Sequence, residues 1–174
     1  MLIVTSFDEV RASFWNDNAY GVQPTLTEAA VRDAELRLGV SLPTALLSLL
    51  RVQNGGGVAA HCNAFPTCVP TSWSEDHVPF DELMGIGRRE RMTSILDSPE
   101  LVEEWNLPSP VVLLSGDGHY WIMLDYRVCG RHGEPSITWF DTDAETELDL
   151  APDFQSFVEG LVQAGGLGTG VQPV

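Results

Sequence analysis

The segment LPTALLSLLRVQNGG, Leu42–Gly56, has the pattern of an apolar helix that ends at an asparagine and a run of glycines. Pro43 lies in its first turn, where a missing backbone N–H leaves no helical hydrogen bond unmade. Four leucines recur along one side and predict a buried stripe: Leu42, Leu46, Leu49 and Leu50. Asn54 and Gly55 tolerate a positive φ, so we interpret both residues as a helix stop with no further role.

A second helix pattern precedes this segment in LTEAAVRDAELRLG, Leu26–Gly39. Its apolar face consists of Val31, Ala34 and Leu38. Thr25 or Thr27 can cap its start, and the spacing of Thr25 and Glu28 fits a capping box. Gly39 occupies the place where a helix commonly ends in the left-handed conformation.

The second half of the chain changes from helical periodicity to a strand pattern. Three apolar runs predict an antiparallel meander: VVLLS (Val111–Ser115), YWIMLDY (Tyr120–Tyr126) and SITWFD (Ser136–Asp141). The first two flank the turn sequence GDGH, and a short helix with Ser98 as its cap precedes them. PDFQSFVEGLV, Pro152–Val162, predicts a closing helix. Helices followed by strands and a last helix predict an α+β domain.

Several segments lie outside these patterns. Gly57–Phe80 carries prolines and an exposed-looking Trp73, and it predicts a long surface excursion of the kind that is often functional. The glycine-rich end, residues 165–174, predicts a flexible tail after a single domain over residues 1–164. A short amphipathic helix is predicted near the start, over Asp8–Trp15.

The chain has 174 residues, a length typical of one domain, and its 44% hydrophobic residues suffice for a core. No apolar run is long enough to cross a bilayer. The start, MLIVTSFDEVRASFW, has neither the basic region nor the cleavage site of a signal peptide. The 3 cysteines cannot all pair within the chain, which favours a reducing compartment. These features together predict a cytoplasmic protein.

The charge balance indicates which classes of partner the chain could bind. Asp and Glu total 25 against 9 basic residues, all of them arginine, and the formal net charge is −16. Such a charge repels phosphate backbones and argues against direct binding of nucleic acid. It would speed the encounter with a basic protein. The alternative is that the charge only maintains solubility, and both interpretations stay open.

Catalytic candidates are few. Asp117 and His119 bracket the GDGH turn and Asp125 lies on the next strand, so an acid–base pair could be drawn from them. These residue types are also common at turns for conformational reasons, and we favour that interpretation. The sequence contains no G-x-S-x-G, P-loop, G-x-G-x-x-G or H-E-x-x-H motif and no lysine. We therefore predict that the chain is not an enzyme and needs no cofactor.

A zinc site is the metal centre to consider. Cys129 and His132 are three residues apart, but Cys62 and Cys68 are six apart, whereas structural zinc sites usually have two tight ligand pairs. We predict no metal, with a buried free thiol and surface histidines instead.

The run DTDAETELD, Asp141–Asp149, has an acid at every second position. It is not a calcium loop, because Thr146 stands where that loop needs glycine and Pro152 where it needs glutamate. In an extended backbone this spacing would place all five carboxylates on one face. The face could be a solvated edge that discourages aggregation or a docking surface for a basic partner.

The run LTEAAVRDAELRLGVSLPTALLSLLRVQNGG resembles the SUKH superfamily, in particular the branch of the fungal cell-wall glucan-synthesis regulator and its bacterial relatives. The matching residues are Leu26, Thr27, Glu28, Glu35, Leu38, Gly39, Leu42, Pro43, Asn54, Gly55 and Gly56. The resemblance implies a single α+β domain with helices packed on a mixed, largely antiparallel sheet. It also implies a protein-binding scaffold without catalytic residues. Bacterial members are regarded as immunity proteins against toxins, often nucleases, and fungal members act in cell-wall and signalling regulation.

From these observations we expect an immunity protein that binds a basic toxin domain, or else a regulatory scaffold of the same fold unrelated to toxins. The expected charge contacts are Asp141, Asp143, Glu145 and Glu147. Trp73 and Trp139 are the candidate aromatic anchors, since tryptophan is favoured at binding hot spots. Trp139 fits a core position equally well, and Trp105 is expected in the core.

Overall fold

The computed structural model of the chain describes residues 5–166, which form five α-helices and eight β-strands. The helices are α1 (Phe7–Ala12), α2 (Glu28–Leu38), α3 (Thr44–Val52), α4 (Ser98–Glu104) and α5 (Phe154–Glu159). The strands are β1 (Gly56–Gly57), β2 (Ala64–Pro66), β3 (His77–Pro79), β4 (Glu82–Leu83), β5 (Val111–Gly116), β6 (Tyr120–Asp125), β7 (Ser136–Asp141) and β8 (Thr146–Ala151). Apart from residues 165 and 166, the predicted tail lies outside the described residues.

The main sheet is a four-stranded meander in the order β5-β6-β7-β8. Two small sheets, β1-β4 and β2-β3, accompany it, and every strand pair among residues 5–166 is antiparallel. The predicted α+β class is confirmed, as are the three predicted strands of the meander. The fourth strand, β8, comes from the acidic run.

The leucine-rich helix α3 contributes its buried face to the hydrophobic core. Its predicted leucine stripe is confirmed, and Leu47 is buried beside it. Leu46, Leu49 and Leu50 are fully buried, and each contributes roughly 2 kcal/mol by leaving water. α5 packs against α3 and the last two strands, where Phe154 and Phe157 are fully buried.

Asn54 has a larger role than a helix stop, so that interpretation is wrong. Its side chain is buried, and its Nδ2 donates to the carbonyl oxygens of Pro24 at 2.7 Å and Ile86 at 2.8 Å. Its Oδ1 accepts from the Ile86 N–H at 2.8 Å, and its backbone carbonyl accepts from the Gln23 N–H at 2.8 Å. One amide thus joins the segment before α2, the end of α3 and the segment after β4.

The glycines beside Asn54 permit a close approach of two backbones. Gly55 has φ 90°, and a Cβ there would lie 2.5 Å from the Gly85 nitrogen. A Cβ on Gly85 would lie 2.2 Å from the Asn54 carbonyl oxygen. Side chains at these two positions would therefore separate the segments that Asn54 joins.

The predicted helix caps are partly wrong. Thr27, and not Thr25, caps α2: its hydroxyl accepts from the Ala30 N–H at 3.1 Å. Ser98 is not the N-cap of α4 but its first residue, and it is buried. Its hydroxyl donates to the Ile95 carbonyl at 2.7 Å and accepts from the Leu113 N–H at 2.9 Å, so it ties α4 to β5.

The segment Gly57–Phe80 is more regular than predicted. β2 and β3 pair as a small hairpin, and residues 67–76 connect them. Phe80 at its end is fully buried. Strands of two or three residues are too short to produce an alternating pattern, so the sequence did not indicate them.

We expect Asn54→Ala to lower the free energy of unfolding by about 3 kcal/mol, because it leaves the buried carbonyl and N–H of Ile86 and the partly buried carbonyl of Pro24 without this partner. Chemical denaturation measures this change. The matched control is Asn18→Ala, which removes one hydrogen bond at an exposed site and should cost under about 0.5 kcal/mol. Equal losses in the two variants would contradict the assigned role of Asn54.

Candidate protein-binding surface

A turn divides the acidic run. β7 ends at Asp141, β8 begins at Thr146, and Glu145 in the turn has φ 50°. The prediction that all five carboxylates share one face of an extended segment is therefore wrong. The turn contains no glycine or proline; instead the Asp141 carboxylate accepts from the Ala144 N–H at 2.9 Å, which a side chain of this length can do locally.

Asp141 is an internal hydrogen-bond acceptor. It is only 3% exposed, and it accepts from the Ser72 hydroxyl as well as from Ala144. Burial opposes ionisation of this carboxyl, but hydrogen bonds from Ser72 and the backbone N–H groups of Ala144 and Asp143 prevail and lower its pKa. Asp141 thus fastens the loop of residues 67–76 to the end of β7.

The two candidate tryptophans are joined by Tyr120. Trp139 is buried, and its ring stacks on Tyr120 with centroids 4.5 Å apart. Tyr120 in turn contacts Trp73 edge-on at 5.3 Å, and Trp73 is 52% exposed. Trp139 is therefore a core residue, while Trp73 is the exposed end of an aromatic row.

Trp105 is not in the core, contrary to prediction, but 39% exposed. Its ring lies against Gly118 at the tip of the β5–β6 hairpin, where a Cβ would come within 2.6 Å of Trp105 Cζ2. It also borders an open groove of about 330 Å³. The groove is lined by Trp105, Asn106, Leu107, Pro108, Phe140, Thr142 and Glu145.

The β5–β6 hairpin and the β7–β8 turn are held together at one end of the sheet. The Thr142 N–H donates to the His119 carbonyl at 3.0 Å, and the Thr142 hydroxyl bonds to the Gly118 carbonyl. His119 Nδ1 lies 3.0 Å from Asp143 Oδ2. We call the exposed side chains at this end the tip surface: Trp73, Trp105, Asp117, His119, Asp143 and Glu145.

Glu147 is exposed on β8 but takes part in a bridge across the sheet. Arg127 Nη2 lies 2.7 Å from Asp125 Oδ2 and 3.0 Å from Glu147 Oε2. The Thr138 hydroxyl donates to the same Asp125 oxygen at 3.0 Å. Burial raises the pKa of Asp125, but hydrogen bonds from the Arg127 side chain and backbone and from Thr138 outweigh it, so the pKa is lowered.

The acid–base candidates of the sequence do not form a site. Asp117 accepts from the His119 N–H within its own turn, and the His119 ring contacts Asp143. Asp125 lies at the opposite end of β6, which is roughly 17 Å long. The three groups therefore cannot act on one substrate atom.

One serine, histidine and aspartate do meet in the loop of residues 67–76 and the start of β3. Ser74 Oγ lies 3.2 Å and Asp76 Oδ1 lies 2.7 Å from His77 Nδ1. A catalytic triad needs the serine and the acid on different ring nitrogens. This set is therefore a loop contact in which both partners share one nitrogen.

The thiols and histidines do not converge either. Cys62 is buried, which raises its pKa to about 11, while Cys68 and Cys129 are exposed. His132 Nδ1 lies 2.9 Å from the Ser41 hydroxyl. Within residues 5–166 no group of three or more metal-ligating side chains comes together.

The sequence model of one family matches residues 25–160, which include α2–α5 and all eight strands. The chain belongs to the SMI1 / KNR4 family (SUKH-1). The resemblance to the SUKH superfamily is thereby confirmed. Comparison with curated proteins and with solved structures gives no significant match.

SUKH-1 membership bears on the kind of function. Members of this family are generally non-catalytic and bind protein partners, which points to an immunity protein or a related regulator. Among the described residues, no helix of this SUKH-1 chain has the length and apolar character needed to span a bilayer.

We expect Asp125→Asn to lower the stability of this SUKH-1 protein by about 2 kcal/mol at neutral pH, because hydrogen bonds to a charged, buried group are lost. The folded-state pKa of Asp125 is lowered, so its contribution is present above the unfolded pKa of about 3.9 and is lost as the pH falls through the folded pKa. The difference between variant and wild type should therefore shrink in acid.

Denaturation curves at a series of pH values measure this difference. The matched control, Glu147→Gln, removes the exposed end of the same bridge and should cost under about 1 kcal/mol. A difference between Asp125→Asn and wild type that stays constant from neutral to acidic pH would contradict the assigned ionisation of Asp125.

Proposed function

We propose that this SUKH-1 chain is a cytoplasmic immunity protein that neutralises a bacterial toxin by stoichiometric binding. The preferred target is a basic toxin domain, in particular a nuclease with a positively charged substrate groove. The observation that carries the proposal is the tip surface, where two exposed tryptophans flank a turn with exposed carboxylates.

The charge of the tip surface suits a basic target. Of its six side chains, three are exposed acids, Asp117, Asp143 and Glu145, and none is an arginine. Glu145 has no ion-pair partner among the described residues, and Asp143 pairs only with the exposed His119. Such a surface attracts a basic groove over several ångströms and occupies the place of phosphate groups.

The tryptophans suit the role of anchors because the fold already holds them. Trp73 rests on Tyr120, which is stacked on the core residue Trp139. Trp105 rests on Gly118. A side chain that is held before binding loses less conformational entropy in the complex, so more of its contact energy remains as affinity.

A direct test begins with two capture experiments in the same cells, one with the wild-type protein and one with a tip-surface variant. The partner of interest is the protein that only the wild type captures. The captured protein is then expressed with and without the chain. We expect its toxic domain to stop growth alone, and growth to return when the chain is supplied at equal amounts. A captured partner that has no toxicity would reassign the chain to the regulatory class of the same family.

We expect the triple variant Asp117→Asn, Asp143→Asn, Glu145→Gln, which neutralises the three acids of the tip surface, to slow association with the toxic domain by about tenfold at low salt and to flatten the salt dependence of the rate. Stopped-flow mixing at several salt concentrations measures both quantities. The control is Asp17→Asn, Asp33→Asn, Glu90→Gln, which removes the same charge from exposed positions outside the tip surface. Equal effects of the two triple variants would contradict a local docking surface.

We expect Trp73→Ala and Trp105→Ala each to weaken binding by about 2 kcal/mol, mainly through faster dissociation, because exposed aromatic anchors carry much of an interface's energy. Calorimetric titration of the toxic domain measures the affinity. The control is Val52→Ala at an apolar position that is exposed on α3, and it should leave the affinity unchanged. Unchanged affinity in both tryptophan variants would remove the tip surface from the interface.

A further inference from the structure

The two edge strands of the main sheet differ in whether their outer backbone groups have hydrogen-bond partners. At the β5 edge, the Leu114 carbonyl accepts from the Met84 N–H at 2.8 Å, and the Leu113 N–H donates to the Ser98 hydroxyl. At the β8 edge, within residues 5–166, the main chain of β8 makes hydrogen bonds to β7 alone. Alternate residues of such a strand point N–H and C=O groups away from the sheet.

The two faces of β8 differ in character. Glu147 lies opposite Phe140 and Asp149 opposite Thr138, so both acids are on one face. Leu148 lies opposite the buried Trp139 on the other face and is half-buried, as is Leu150. An open depression of about 300 Å³ lies beside the end of the strand, and it is lined by Ser136, Asp149, Leu150, Ala151 and Pro152.

We propose that the open edge of β8 binds an extended segment of the partner as a fifth strand, and that basic and apolar side chains alternate along this segment. The basic side chains would lie beside Glu147 and Asp149, and the apolar ones would cover Leu148. This inference rests on the proposed function, which supplies the basic partner, and it adds how that partner is held.

Charge decides between a basic segment and a second copy of the chain. If two β8 strands paired antiparallel about Leu148, Glu147 of each copy would lie opposite Asp149 of the other, and like charges directly opposite destabilise a sheet. The bridge of Asp125, Arg127 and Glu147 keeps a net negative charge, and Asp149 has no ion-pair partner within residues 5–166. A segment with basic side chains would instead be attracted to these acids.

Edge acids also protect a sheet from aggregation, and that role requires no partner backbone. The two roles differ in one measurable way. Strand addition needs N–H donors on the incoming segment, whereas attraction between charges does not. The test therefore varies the backbone of a probe peptide while its charge stays fixed.

The probe is a blocked hexapeptide of alternating lysine and valine, titrated into the 15N-labelled chain. Two matched peptides serve as controls: one with glutamate in place of lysine, and one with lysine and valine but every backbone nitrogen methylated. We expect saturable shift changes centred on residues 146–151, slower hydrogen exchange of the outward β8 amides, and no binding of the glutamate peptide. The methylated peptide should bind at least about tenfold more weakly, because its backbone cannot donate.

Three results would overturn the proposal: no saturable change at β8, equal binding of the methylated peptide, or slowed exchange at β8 that accompanies dimerisation without peptide. The last result, read by sedimentation, would assign the edge to a second copy. Because the titration contains no toxin, it reports strand addition alone. Toxin neutralisation reports the proposed function, so failure of one is distinguishable from failure of the other.

Discussion

The buried side chain of Asn54 is the constraint on which the arrangement of the fold depends. Its amide donates to Pro24 and Ile86 and accepts from Ile86, so all its partners are satisfied only when three distant segments are in place. A buried amide without hydrogen-bond partners is strongly destabilising, because its desolvation is not compensated. Alternative arrangements of these segments are therefore disfavoured. Since Met84 bonds to Leu114 of β5, the same constraint positions the helices relative to the main sheet.

Elements with a strong periodic pattern could be predicted from the sequence. The leucines of α3 recur with helical spacing, and β5, β6 and β7 are short apolar runs separated by turn residues, so each pattern indicated its element directly. The role of Asn54 could not be predicted, because an asparagine before glycines is equally typical of a helix end. Ser98 was missed for a similar reason: a serine before proline predicts a cap, and only the packing of α4 on β5 turns it inward.

The candidate surface was predicted in part. Trp73 stands in a polar, proline-rich segment, and its exposure followed from that context. The burial of Trp139 on β7 could not be predicted, because burial on a strand depends on what covers each face and not on the strand's own residues. The exposure of Trp105 could not be predicted either, because this residue directly follows α4 and its surroundings are set by the distant β5–β6 hairpin. The turn inside the acidic run could not be predicted, because no glycine or proline marks it. The Asp141 side chain stabilises it by accepting hydrogen bonds from Ala144 and from Ser72, which is sixty-nine positions away in the chain.

In the turn between β7 and β8, the residue that sets the backbone geometry is different from the residues that face solvent. Asp141 sets its geometry from inside, while the side chains of Asp143, Ala144 and Glu145 project into solvent and are exposed. Replacements at these three positions would leave the supporting contacts of Asp141 with Ser72 and Ala144's backbone in place. Under the proposed binding role of the tip surface, exchange of these outward residues would change the chemistry offered to a partner while the inner hydrogen bonds of the turn stay the same.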